Sequence, residues 1–490
     1  MTAQDREVDG FDDALALVHG EQGAGRPPDR ATAPGHATAP GHGIAPGNTA
    51  APGRGADPGH GAGSAMSARH HAESWEAARA LAAGSAGPVP AARAVSVPLD
   101  QAVGRALAEP LTALTDLPSF DTSAMDGWAV SGPGPWTVRP VQDSPRDEAT
   151  VGDHGSQGAG DLGILAGQGT AVPLQDGTAV RIATGARIPA DTTAVVRSEH
   201  AVTDSHGNLH ADREVIHGQD IRPRGQECRT DDRLLPAGSV VTPAVLGLAA
   251  AAGYDELLTV PRPRVEVLVL GDELLTEGLP HDGLIRDALG PMLAPWLRTL
   301  GAEVIATRRI RDDAGALCRA ITGSTADLVL TTGGTAAGPV DHVHPVLHKT
   351  GAELLVDGVA VRPGHPMLLA RLPSGGHLVG LPGNPLAAVS GLLTLAEPLL
   401  RALAGRAPRP SYRAPLRDAV QGHPYDTRLV PFVHQDEGLV PLHFNGPAML
   451  RGIAAADGLV VVPPGGARPG DELEVLDLPW AAPVDGGCFT

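Results

Sequence analysis

The chain has 490 residues, with 37 basic against 56 acidic side chains and a formal net charge of -19. Lys349 is its one lysine, which excludes a Walker-type phosphate loop and leaves Schiff-base chemistry to that residue alone. The acidic balance argues against non-specific binding to nucleic acid or anionic membranes. Five Trp, five Phe and three Tyr are too few for stacking-based recognition of single strands. Small-molecule chemistry spread over several domains is the expectation.

Cys228, Cys318 and Cys488 are far apart, which supports neither a disulfide framework nor a structural zinc site and fits a reducing cytoplasm. The first residues carry early acids and no basic-then-apolar signal. The longest apolar stretches, residues 244–253 and 378–400, are too short to span a membrane or are interrupted by Pro382 and Pro385.

Residues 31–61 repeat a six-residue unit with Pro-Gly pairs, so residues 1–72 are expected to be a disordered tail, in which His36, His42 and His60 recur. Helices are predicted over residues 74–83, with Ser74 as N-cap, and over residues 99–108. Residues 113–220 carry short alternating runs bounded by Gly, Pro and Asp, which predicts an inserted β-rich domain inside an N-terminal region of residues 73–262. Thr242 and Pro243 open an apolar helix that Gly253 stops.

Over residues 263–404 the pattern changes to apolar strands alternating with helices. Runs at residues 265–270, 327–330 and 377–381 each lead into a glycine-containing loop, which predicts a parallel sheet covered on both faces with the loops converging at the strands' carboxyl ends. Residues 405–490 read as a small β-barrel or sandwich.

Two loops suit an anion. Gly333, Gly334, Thr335 and Gly338 follow a strand and precede a helix, while Pro382, Gly383, Asn384 and Pro385 place Asn384 at an N-cap with amides free. Acids gather on the same side: Asp272 and Glu273 after the first strand, Asp312 and Asp313 after a strand expected at Val304 and Ile305, and Asp341 past the glycine loop. Carboxylates beside a phosphate cradle imply a hard cation, Mg²⁺, although Asp313 and Asp341 also suit helix N-caps. In the inserted region, SAMDG around Asp126 and the TGA turn at Thr184 read either as functional loops or as plain turns.

In order along the chain stand SFDTSAMDGWAV, RIATGARIPADTTAVVRSEH, PRVEVLVLGDEL, RIRDD, ADLVLTTGGTAAGPVDHV, VRPGHP and GLPGNPLAAVSGLLTL. This series resembles the molybdopterin molybdenumtransferases, which share their fold with the E domain of gephyrin, and it covers the chain from about Ser74 onward. The resemblance implies a multidomain α/β plus β subunit: an αβα molybdopterin-binding domain with a parallel sheet, an inserted β-rich domain and a C-terminal β-barrel. It implies a homodimer in which the αβα domain of one subunit faces the inserted domain of the other.

The implied reaction is insertion of molybdate into adenylylated molybdopterin with release of AMP, assisted by Mg²⁺. The implied catalytic residues are Asp126, Thr184, Glu273, Asp312 and Asp341, with Glu273 and Asp341 as metal ligands. Implied substrate contacts are Gly333, Gly334, Thr335, Gly338, Arg362, His365, Pro382, Gly383, Asn384 and Pro385. Molybdopterin adenylyltransferase and recipient molybdoenzymes are further implied partners. Three departures from the family pattern stand out: Ala336 replaces a loop serine, Asp287-Ala288-Leu289 replaces Asp-Ser-Asn, and Arg362 and His365 replace two lysines, leaving one permanent and one pH-dependent charge. They leave open an alternative, a paralogue that binds or carries molybdenum cofactor without catalysis. A molybdopterin adenylyltransferase is a lesser alternative.

Overall fold

The computed structural model describes residues 72–87, 93–140, 163–167, 172–336, 341–408, 410–435 and 438–481. Contacts divide the chain after His71, and Ala72–Thr490 form one compact unit. The expected disordered tail, with its histidine repeat, lies outside the described residues as far as His71, as do Gly338 and Cys488.

The first helix, α1 (Trp75–Ser85), is capped as predicted, with Ser74 accepting the amide of Ala77. The helix expected over residues 99–108 is only Leu99–Ala102. Gly104 turns the chain at φ 77°, and Ala106–Leu107 becomes a strand paired with Thr259 and Val260. Loss of helical direction at glycine, followed by a partner strand more than a hundred residues away, overrides local propensity here. Helix α2 (Pro243–Ala251) has Thr242 accepting the amide of Val245, and Gly253 follows at φ 101°.

The inserted region builds a six-stranded sheet. Beside it a two-residue strand, β1 (Thr122–Ser123), leads into β2 (Gly127–Val130). The other strands are β3 (Trp136–Val138), β4 (Thr178–Ile182), β5 (Ala194–Arg197), β6 (Ala201–Thr203) and β7 (Asn208–Ala211), in the order β5-β2-β4-β3-β7-β6. A further short strand, β8 (Ile221–Arg222), pairs with β1. Alternation puts Ala129, Val180, Ile182 and Val195 in one core and Val130, Ala179, Ala194 and Val196 in the other, so both faces are covered.

The αβα region comprises β9 (Arg264–Leu270), α3 (Leu289–Thr299), β10 (Glu303–Ile310), α4 (Ala314–Thr322), β11 (Leu328–Thr332), α5 (Val343–Thr350), β12 (Glu353–Asp357), β13 (Leu368–Arg371), β14 (His377–Leu381) and α6 (Pro385–Leu403). Sheet order is β10-β9-β11-β14-β13-β12. The expectation of a parallel sheet holds for the pairing of the first four strands only, because β13 runs against them and pairs antiparallel with both β14 and β12. The cause is the connection Leu372–Gly376, where Leu372 and Gly376 are hydrogen-bonded across the turn. Five residues close a hairpin and cannot make a parallel crossover. Glu266, the one acid in the apolar run of β9, is buried and paired with Arg308 of β10 at 2.5 Å.

Helices α4 and α5 cover one sheet face through Leu317, Ile321, Val343, Val346 and Leu347. Helix α6 runs through a π-helical segment at Leu392–Ala396 and is long and apolar enough to cross a membrane by length and composition, but 83% of its apolar window is buried inside the protein. The proline pair read as interrupting this stretch instead precedes and opens one helix, Pro385 sitting in its first turn, where no amide is missed. The Trp75 indole of α1 donates to Thr394 in the π segment at 3.2 Å.

In the C-terminal region β15 (Tyr412–Pro415), β16 (Thr427–Gln435), β17 (Gly438–Pro441), β18 (Gly458–Val462) and β19 (Glu472–Asp477) follow the path β17-β16-β18-β19-β15. Just beyond β15, Leu416 bridges Leu439 of β17, so the path returns to its start around a core of Val430, Phe432, Val460, Val462 and Val475. A strand at Val361–Arg362 pairs in parallel with β16, so a segment of the αβα region joins this sheet.

Candidate functional site

The strand ends bring the predicted loops of the αβα region together. Gly333 and Gly334 have φ 80° and 69°, which side chains with a Cβ rarely adopt. The Gly333 amide donates to the Leu381 carbonyl at 2.8 Å, tying the glycine loop to the Leu-Pro-Gly-Asn-Pro loop. A Cβ on Gly383 would lie 3.7 Å from the Gly333 Cα. Thr335 is buried between them, and the buried Thr331 hydroxyl has no partner among the described residues.

The expectation of free amides in these loops is narrowed at three positions, Gly333, Leu386 and Ala387. Gly333 has spent its amide on Leu381. At the start of α6 the amides of Leu386 and Ala387 donate to the Pro447 carbonyl at 2.9 and 3.3 Å. A helix leaves its first amides unsatisfied, and here the C-terminal region fills them instead of an anion. Asn384 holds the N-cap position without a side-chain cap bond.

The charge for an anion comes from side chains instead. A cavity of about 270 Å³ is lined by Arg362, His365, Pro382 and Asn384 from the αβα side and by Arg428 and Asn445 from the C-terminal side. Arg362 and Arg428 are register partners on paired strands. Arg362 Nε donates to Asp426 at 2.8 Å, and Arg428 Nη2 reaches the Asn445 side-chain oxygen at 3.4 Å. The His365 Nδ1 contacts the Val359 carbonyl at 2.8 Å, which directs Nε2 elsewhere. Arg428 Nη1 also donates to the Gln421 carbonyl at 2.5 Å, and two guanidiniums against one carboxylate leave the cleft with spare positive charge, suited to a tetrahedral oxyanion or phosphate. Sequence reasoning missed Arg428 and Asn445.

The acids form a second group. The Asp272 amide donates to Asp312 Oδ2 at 3.2 Å, joining the ends of β9 and β10. Glu273 is exposed, and its carboxylate folds back over Gly271, where an added Cβ would lie 2.6 Å from Oε2. Asp313 is the N-cap of α4, accepting the Ala316 amide at 2.5 Å. Asp341 is not the N-cap of α5, because His342 holds that position one residue nearer the helix.

Among the described residues no three or more His, Cys, Asp or Glu side chains gather as a metal cage. Carboxylate oxygens such as those of Glu273 and Asp341 are the donor type that Mg²⁺ takes, one or two at a time, with water and substrate phosphate completing its shell.

The third group lies in the inserted region. Asp126 is exposed, and its Oδ1 accepts the Thr184 amide at 2.8 Å, so the SAMDG loop and the TGA turn meet. No hydrogen bond or ion pair among the described residues joins either residue to the αβα loops.

Three family models match in order: MoeA N-terminal region (domain I and II) over residues 73–253, probable molybdopterin binding domain over 266–402, and MoeA C-terminal region (domain IV) over 413–478. The Mycobacterium tuberculosis protein named molybdopterin molybdenumtransferase 2 is 34% identical over 406 residues, covering 79% of this chain and 96% of its own. The chain belongs to the molybdopterin molybdenumtransferase family. A Staphylococcus aureus molybdopterin molybdenumtransferase is 29% identical over 395 residues, covering 78% of this chain and 91% of its own. The solved structure of the molybdopterin biosynthesis moea protein from Pyrococcus horikosii superposes with a TM-score of 0.64 at 23% identity, covering 83% of this chain and 99% of that one, which shows the shared fold.

Within the molybdenumtransferase framework the departures acquire positions. Leu289 is buried as the first residue of α3, Ala288 holds the N-cap position, and Asp287 one residue earlier accepts the Gly290 amide at 2.9 Å. Ala336 is exposed at the last described residue of the glycine loop.

Proposed function

We propose that this enzyme of molybdenum cofactor biosynthesis inserts molybdate into adenylylated molybdopterin, cleaving the phosphoanhydride so that AMP leaves. The observation that carries this reading is the cleft where Arg362 and Arg428 stand side by side against the Pro382–Asn384 loop. Molybdate is a dianion, and two forked cations in one cleft hold it by charge-assisted hydrogen bonds.

In this reading Gly333, Gly334, Thr335, Gly338, Gly383 and Pro385 shape the pterin-side contact. Glu273 and Asp341 would hold Mg²⁺, Asp312 would serve beside them as a catalytic carboxylate, and the metal would supply charge neutralisation at the phosphoanhydride. Asp126 and Thr184 contribute from the inserted region of a second subunit, which makes the active species a homodimer, acting in the cytoplasm. Its further partners are the adenylyltransferase that supplies the substrate and the molybdoenzymes that receive the product.

The test is incubation of the purified chain with adenylylated molybdopterin, molybdate and Mg²⁺ while AMP and active cofactor are followed. Stoichiometric AMP release with active cofactor is expected. Tight substrate binding with no AMP release overturns catalysis and favours the cofactor carrier, which the loss of the loop serine at Ala336 makes the second reading.

A further inference from the structure

The loop that carries Asp126 is held from two sides, and one ion pair spans both. On one side β5 ends at Arg197, which is in register with Gly127 of β2, and the next amide, Ser198, donates to the Asp126 carbonyl at 3.1 Å. On the other side the Asp220 carbonyl accepts the Ala124 amide at 2.8 Å. Asp220 has φ 55°, a left-handed conformation that Asp and Asn tolerate better than other side chains. Its carboxylate takes a forked pair of bonds from Arg197, Nε to Oδ2 at 2.9 Å and Nη2 to Oδ1 at 3.0 Å.

The hydrogen bonds from Arg197 hold the Asp220 carboxyl below the usual carboxylate range, and the guanidinium in turn is raised. The pair is therefore ionised wherever the enzyme works. There is little slack on the strand side, since a Cβ on Gly127 would meet the Val196 carbonyl at 2.1 Å.

We infer that Arg197 and Asp220 are a positioning pair that fixes the SAMDG loop so that the Asp126 carboxylate meets the Thr184 turn in one orientation. The inference rests on the reading of Asp126 as a site residue. Neither Arg197 nor Asp220 touches the Asp126 carboxylate. They act on it through the backbone at Ala124 and Ser198. A fork of two parallel bonds fixes an angle as well as a distance, which a single bond or a point charge does not.

The experiment uses the full chain and compares Asp220→Asn, Arg197→Lys, Asp126→Asn and the double variant Asp126→Asn/Asp220→Asn by steady-state AMP release and thermal unfolding. Asparagine keeps the left-handed turn and the carbonyl to Ala124, and lysine keeps the charge but not the fork. Asp220→Asn is expected to lower kcat about tenfold with KM unchanged within about twofold, a misplacement effect rather than a binding effect. Arg197→Lys is expected to fall between it and wild type.

In the Asp126→Asn background the further loss from Asp220→Asn is expected to shrink to less than about twofold, because a residue that acts through Asp126 has nothing left to act on. Wild-type kcat in both single variants overturns the inference, as does an equal fold-loss with and without the Asp126 carboxylate. If Asp126→Asn itself releases AMP at the wild-type rate, the assignment of Asp126 fails and the positioning role falls with it. Loss of activity in Asp126→Asn alone leaves that assignment standing and rejects only the pair.

Discussion

Arg428 changes what the cleft is made of. From sequence it is one of 36 arginines, in a run that reads as an ordinary strand. It becomes a site residue because Val361–Arg362 pairs with that strand in parallel and sets the two guanidiniums abreast. Arg428→Ala is expected to weaken molybdate binding by about tenfold or more, the worth of one forked charge-assisted contact, with little change in thermal stability; titration of molybdate by calorimetry measures it. His365→Lys, which restores a permanent charge, is expected to strengthen the same binding severalfold.

Among elements, what could be read from sequence was whatever depended on neighbours in the chain. Ser74, Thr242 and Asp313 cap helices because a hydroxyl or carboxylate three residues upstream of a free amide is a local arrangement. The capping of α6 by Pro447 was illegible, since it needs the C-terminal region folded against the helix. The reversal of β13 was readable in Leu372–Gly376 only as a turn, and its effect on sheet order follows from loop length. The meeting of Asp126 and Thr184 was likewise hidden, although each loop stood out by composition.

Close packing at the element scale gives two expectations. Gly127→Ala forces a methyl into the Val196 carbonyl and is expected to cost roughly 1–3 kcal/mol or more, visible as a lower urea midpoint. His377 begins β14 and is buried, and neither ring nitrogen makes a well-aligned hydrogen bond among the described residues, the Ser85 backbone being a weak contact only. Burial pushes its imidazole below the ordinary value of 6.5, the Ser85 carbonyl, Arg371 and Asp327 being smaller influences. The unfolded chain takes up a proton as pH falls below 6.5 while the folded imidazole stays neutral, so this contribution to stability is complete above that value and declines below it. His377→Leu is expected to flatten the loss of urea resistance between about pH 7 and pH 5 relative to wild type.

For the whole molecule, the regions are tied by specific contacts. Trp480, past the last barrel strand, packs edge-on against Trp296 of α3 with ring centroids 4.6 Å apart. Trp480→Ala is expected to lower stability by about 1 kcal/mol, the worth of an aromatic pair, and to alter the fluorescence of the buried Trp296. An unchanged emission spectrum and melting curve would show that the two regions are held without it. The cleft itself is a joint product: Arg362 and His365 come from one region, Arg428 and Asn445 from another, and Pro447 closes the helix between them. If the cleft is the molybdate site proposed above, affinity and the docking of the C-terminal barrel are coupled, and variants that loosen the barrel are expected to lose molybdate before they lose secondary structure.

The position of Lys349 has a practical consequence. It is exposed in the last turn of α5, at the opposite end of that helix from Asp341, and it carries the one ε-amine in the chain. An amine-reactive fluorophore or crosslinker will therefore attach to the folded unit at a single known point without any engineered cysteine.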